Sequence, residues 1–112
     1  MSDAVIKRGE YIKYPPDEGV YLKHYFGKND NVIVNTFEIM ILPGFTLSPH
    51  LHDNTTEFFH VISGEGEIWD NGVWKPFKKG EASFAVANIK HGLRNTGGEV
   101  FVLLAVFSPA IL

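Results

Sequence analysis

Apolar and polar positions along the chain alternate in short runs, and clusters of Gly, Pro, Asn and Asp interrupt those runs at regular intervals. No long segment carries a helical period. The pattern predicts strands over residues 11–14, 20–26, 32–42, 45–47, 56–63, 67–69, 73–77, 82–86, 91–95 and 100–107. Pro15-Pro16-Asp17-Glu18-Gly19 cannot continue a strand or a helix, and Pro43-Gly44 stops the long run before it. Asp70-Asn71-Gly72 has the residues of a tight hairpin turn, which makes 67–69 and 73–77 partners. Many short strands in one small chain predict an all-β fold, a sandwich or barrel of antiparallel sheet. Residues 1–112 read as a single domain without an internal boundary or strong repeat.

Two runs depart from alternation. Val100 to Phe107 is apolar throughout, as is most of Ile39 to Leu42 together with Val32 to Val34. Strands apolar on both faces need cover on both. One cover is the interior; for the other we expect a second subunit, hence a homodimer with sheet packed on sheet. The alternative is that the N-terminal segment or the 108–112 tail folds over that face.

Within this frame, the stretch from Gly44 to Gly64 carries the candidate chemistry. His50 and His52 are two apart, so on one strand both rings share a face. A turn at Asp53-Asn54 starts a second strand whose inward face can carry Glu57. A His, His, carboxylate cluster follows from parity and one loop. Phe59 and Val61 share the parity of Glu57, and Phe84 and Val86 share one face of the strand before His91, so some of these side chains are expected around the cavity. His60 has the opposite parity and should point away, His24 reads as a surface or interface histidine, and Arg94 reads as a surface arginine before an anion partner.

Composition narrows the classes. The net charge is -3, and Lys and Arg are scattered, which leaves no basic footprint for nucleic acid. The absence of cysteine excludes disulfides, thiolate metal sites and a cysteine nucleophile, so any metal must be held by nitrogen and oxygen. The polar opening MSDAVIKRGE does not resemble a signal peptide, and no apolar run is long enough for a membrane helix. A cytoplasmic protein is expected, with no membrane partner.

Gly44, His50, His52, Glu57 and Gly64 fall at G-x5-H-x-H-x4-E-x6-G, which resembles the first motif of the cupin superfamily (44–64). Gly80, His91 and Asn95 match the second (80–95), although Val86 stands at the usual proline and Asn88 at the usual glycine. Asn is the residue best able to replace Gly in a left-handed turn. The resemblance implies a single small cupin barrel, jelly-roll-like, with one divalent metal inside. It implies His50, His52, Glu57 and His91 as the ligands. Three imidazoles and one carboxylate suit Mn, Fe, Co, Ni, Cu or Zn better than Ca or Mg. A metal-free, vestigial pocket is the competing reading.

A mostly apolar pocket around such an ion favours a small organic ligand that binds through its own oxygens. Three functions remain open. A redox-active ion with two free positions would support dioxygenase-like chemistry, the reading placed first because it needs no further side chain. A Lewis acid would support isomerisation, epimerisation or elimination on a sugar or sugar acid, with Glu38, Tyr25 or His60 as candidate acid or base. The third is a binding module without turnover.

Overall fold

The structure, a computed structural model, describes residues 9–112. Most of the polar opening, where the sequence shows no signal-peptide pattern, is at residues 1–8 and lies outside the described residues. Ten strands follow in order: β1 (Ile12–Lys13), β2 (Val20–Phe26), β3 (Asn35–Ile41), β4 (Thr46–His50), β5 (Thr56–Ser63), β6 (Glu65–Asp70), β7 (Val73–Lys78), β8 (Ala82–Ala85), β9 (His91–Arg94) and β10 (Phe101–Ser108). A short 3-10 turn, Lys28–Asp30, is the single helical element among the described residues, and no helix is long and apolar enough to cross a membrane.

The strands form two antiparallel sheets, ordered β1-β2-β3-β10-β5-β8 and β4-β9-β6-β7. The all-β jelly-roll barrel expected from the sequence is what the chain adopts. Strand β10 lies at the centre of the larger sheet, paired along its length with β3 on one side and β5 on the other. Its inward residues Phe101, Leu103, Ala105 and Phe107 meet Phe37, Ile39 and Ile41 of β3 and Phe59 and Val61 of β5. Leu47, Phe77 and Leu93 come from the facing sheet. Each fully buried apolar side chain of this size contributes about 1.5–3 kcal/mol, which is why a small chain holds two sheets together.

The run at 32–42 is shorter as a strand than its composition predicts. Pairing begins at Asn35, and Ile33 is 81% exposed. Asn35 is the reason: its buried carboxamide accepts from the amides of Ile111 and Leu112 and donates to the carbonyl of Leu112. The residues before it are drawn into a loop whose Ile33 carbonyl accepts from the Ala110 amide. The 108–112 tail therefore goes to the core side and does not cover the outer face.

The outer face of the six-stranded sheet has two halves. Over β5 and β8 it is apolar, with Phe58, Ile62 and Phe84 exposed. Over β2 and β3 it is polar, because both oxygens of Glu38 accept hydrogen bonds, one from Tyr11 and one from Tyr25. The Lys23 ammonium lies 5.6 and 5.5 Å from the centres of those two rings. The hydrogen bond to Glu38, burial and the Glu38 charge push the Tyr25 phenol up to about 12. On the outside of the smaller sheet Arg94 reaches Glu67 Oε1 with two nitrogens, at 2.6 and 2.7 Å, and stacks 4.4 Å from the Trp74 ring. Arg94 is thus a structural residue of the outer surface, paired rather than free for an anion.

The corners follow turn chemistry. Asn71 and Gly72 both have positive φ, 50° and 88°, as a two-residue hairpin turn requires. Asn88 does take the left-handed conformation, at φ 69°. Gly64 has φ 78°, and a Cβ there would stand 2.4 Å from the Val100 carbonyl oxygen. Gly64→Val adds a strained backbone to a clash with backbone, which together should cost about 3 kcal/mol or more. Urea unfolding should show a clearly lowered midpoint, and a midpoint equal to that of the parent chain would contradict this account of the corner.

Candidate metal centre

Three strands and one loop deliver the side chains singled out by the sequence. His50 ends β4 and sits directly across from His91, which opens β9. Glu57 is the second residue of β5, across from Phe107, and points inward with Phe59 and Val61 as parity predicts. His52 differs from the expectation of one strand carrying both imidazoles. Strand β4 stops at His50, beyond Pro49 and a register shift after Leu47, so His52 stands in the following loop. Its carbonyl accepts from the Asn88 amide at 2.8 Å, which ties the loop carrying His52 to the loop before His91.

The four residues converge. One ligand-type atom from each of His50, His52, Glu57 and His91 lies within 4.8 Å of all the others. Bonds of about 2.0–2.2 Å to one ion put its ligand atoms at most about 4.4 Å apart, so small side-chain rotations close the set around a cation. The ring centres of the three histidines are 4.5–5.2 Å apart.

Backbone carbonyls orient two of the rings in the same way. Nδ1 of His50 lies 2.7 Å from the Ser48 carbonyl oxygen, and Nδ1 of His91 lies 3.1 Å from that of Ile89. A carbonyl only accepts, so in each ring Nδ1 carries the proton and Nε2 is left with its lone pair. Nε2 of His91 is then 2.8 Å from Glu57 Oε1, and Nε2 of His52 is 3.7 Å from it. None of these three buried atoms makes an aligned hydrogen bond. His91 Nε2 and Glu57 Oε1, two acceptors facing each other at 2.8 Å in a buried site, repel unless a positive charge lies between them, and orphaned polar atoms of this kind are rare. The donor set therefore fits a borderline divalent ion.

Electrostatics agree. Burial, the largest effect on His50, lowers its proton affinity and favours the neutral ring that a metal needs. Burial pushes the Glu57 carboxyl up, and it is held below the ordinary carboxylate range only where His52 and His91 present N–H donors and positive charge to it; with neutral rings turned lone pair inward, a bound cation would take that part.

The cluster opens into a cavity of about 100 Å³ lined otherwise by Tyr14, Leu22, Phe37, Ile39, Leu47, Phe107, Ile111 and Leu112. Sequence patterns did not single out Tyr14, Leu22, Ile111 or Leu112 for this site. Phe84 and Val86, expected near the cavity, are instead 68% and 49% exposed. The cause is register: Phe84 pairs with Phe58, which must point outward if Glu57 points inward. His60 is on that outer side, as expected, between Leu104 and Ala82. Glu38 and Tyr25 are also there and so do not face the cavity.

A double-sheet β-barrel with an inward cluster of three histidines and a glutamate defines a small barrel protein with a candidate metal site. The family model described as Cupin domain matches residues 37–107, and the chain belongs to the cupin family. An oxalate-binding protein of Thermotoga maritima is 34% identical over 64 residues, 57% of this chain and 53% of that protein. An uncharacterized protein of Aquifex aeolicus is 40% identical over 62 residues, 55% of this chain and 50% of its own. The chain thus spans about half the length of the curated relatives it matches. Among solved structures, a predicted oxalate decarboxylase from Thermotoga maritima superposes with a TM-score of 0.79 at 28% identity, covering 90% of this chain and 91% of that one. The protein KdgF from Halomonas superposes with a TM-score of 0.78 over 91% and 87% of the two chains, at 19% identity, a likeness of fold alone.

Replacing His50 or His91 by Ala should abolish stoichiometric metal while the barrel stays folded, because each change removes a polar group from the cavity and leaves the apolar core intact. Elemental analysis beside circular dichroism checks this. Unchanged metal content in either variant would show that the ligand set is wrong.

Proposed function

We propose that His50, His52, Glu57 and His91 hold one divalent transition ion and that the protein is a metal-dependent enzyme of dioxygenase-like type. Its substrate is a small organic molecule that chelates the ion through its own oxygens. The observation that carries this reading is the buried set of unpaired nitrogen and oxygen atoms opening into a small, otherwise apolar cavity. Four protein ligands leave two positions on an octahedral ion, and a bound Fe, Mn, Ni or Cu supplies Lewis acidity and electron transfer at those positions.

The remaining chemistry belongs to the chain. Three neutral imidazoles and one carboxylate leave a loaded site with a net positive charge, which suits an anionic chelate. Leu22, Phe37, Ile39 and Phe107 exclude water from it. Tyr14 supplies the one hydroxyl among the described lining residues, a donor for a ligand oxygen that is not on the ion. A cavity of about 100 Å³ is well below the ~300 Å³ of ordinary ligand pockets, so the substrate has few heavy atoms. Oxalate, named for the Thermotoga maritima relative, is of that chemical class.

The same name supports a second reading, stoichiometric binding without turnover. The isomerase or lyase reading has less support, since Glu38, Tyr25 and His60 stand outside the cavity. The deciding experiment is elemental analysis of protein purified without chelators, followed by oxygen uptake with small dicarboxylates, enediols and diketones. Near one equivalent of a redox-active ion with oxygen consumption is the expected result. Binding of these compounds without consumption would move the conclusion to the binding module, and the absence of metal would overturn the metal-dependent enzyme in favour of that module.

We further propose a homodimer formed through the apolar half of the outer face. Phe58, Ile62 and Phe84 are 37%, 39% and 68% exposed there, beside half-buried Met40, Val102, Leu104 and Val106. An apolar surface of this kind, with His60 in its midst, is uncommon on a monomer. Light scattering should give twice the chain mass, and Phe84→Lys should shift it to the monomer. A monomeric parent protein at micromolar concentration would refute the pairing.

A further inference from the structure

After Ser108 the chain leaves β10 and becomes one wall of the metal cavity, which Ile111 and Leu112 both line. No strand pairing holds this segment. Two buried side chains do, with support from two main-chain contacts. The Thr55 hydroxyl donates to the Pro109 carbonyl at 2.6 Å. Asn35 Oδ1 accepts from the amides of Ile111 and Leu112 at 2.7 and 2.8 Å, while its Nδ2 donates to the Leu112 carbonyl at 2.8 Å. The Ala110 amide donates to the Ile33 carbonyl at 2.7 Å, and the Lys28 amide donates to the Leu112 carbonyl at 2.9 Å.

Asn35 and Thr55 are 1% and 2% exposed, so breaking these bonds would strand polar groups in the interior. The segment is therefore held in one place. Its Ile111 side chain is half buried against the core, and it takes up space in a cavity of only about 100 Å³. Because Ile111 belongs to no strand ladder, its size can change without moving the register that places the metal ligands.

We propose that Ile111, fixed by the Asn35 clamp, determines which chelating anions the cavity admits: short ones fit, and longer ones are excluded by its side chain. This rests on the reading of the cavity as the seat of a metal-chelating ligand. Replacement by Ala takes three carbon atoms out of the wall, whereas replacement by Phe adds to it.

The test is calorimetric titration of manganese-loaded protein with oxalate, of two carbons, and with 2-oxoglutarate, of five. The parent protein should bind oxalate more tightly. Ile111→Ala should reduce the ratio of the two affinities at least tenfold by strengthening 2-oxoglutarate, with manganese stoichiometry and melting temperature retained. Ile111→Phe should weaken even oxalate while the metal stays bound. Should Ile111→Ala fold poorly, Ile111→Val gives a smaller change in the same direction. An unchanged ratio in a folded, metal-loaded Ala or Val variant overturns the role of Ile111 and leaves the functional reading standing. Failure of the loaded parent protein to bind either anion overturns the cavity as a ligand site, and this inference with it.

Discussion

The antiparallel pairing of β10 with β3 and β5 together is the constraint on which the rest of the molecule depends. A strand flanked on both edges has no freedom of register, because a slip of one residue would turn Phe101, Leu103, Ala105 and Phe107 out of the core. The same pairing sets Phe107 across from Glu57, and the Phe107 ring packs edge-on against His52 at 4.8 Å. The strand that completes the hydrophobic core is therefore also a wall of the polar cluster. Core and site share one register.

Within that frame the cluster is held against its own preference. Burying a carboxylate beside imidazole lone pairs is unfavourable on its own. The protein tolerates it because the Ser48 and Ile89 carbonyls orient His50 and His91 from behind, and because β4 and β9 keep the two rings paired across the sheet. Polar groups left unpaired in the interior are what a bound cation would satisfy, and the cluster could hold one.

How much of this could be read in the sequence depends on the range of the interaction. The strands, the hairpin at Asn71-Gly72 and the inward parity of Glu57 and outward parity of His60 are local, and turn chemistry with period two reveals them. The meeting of His50, His52 and Glu57 needed only one turn more. His91 entered through the likeness of 80–95 to a family motif, since nothing local places it opposite His50. The misplacements share a cause. Pairing with Phe58 turned Phe84 outward, and the buried Asn35 delayed the start of β3, both effects of partners remote in the chain. Tyr14 and Ile111 come to the cavity from near opposite ends of the sequence, carrying no pattern that would announce it.

The clamp formed by Asn35 has a consequence for how such a barrel can diverge. The atoms that face the cluster are set by strand pairing and carbonyl contacts, whereas part of the surrounding wall is a terminal segment held by one carboxamide and one hydroxyl. Inheritance can therefore work on the two separately. Drift in a few residues after β10 would present new cavity shapes to the same cluster, and a lineage could change what the cavity admits without disturbing the three histidines and the glutamate.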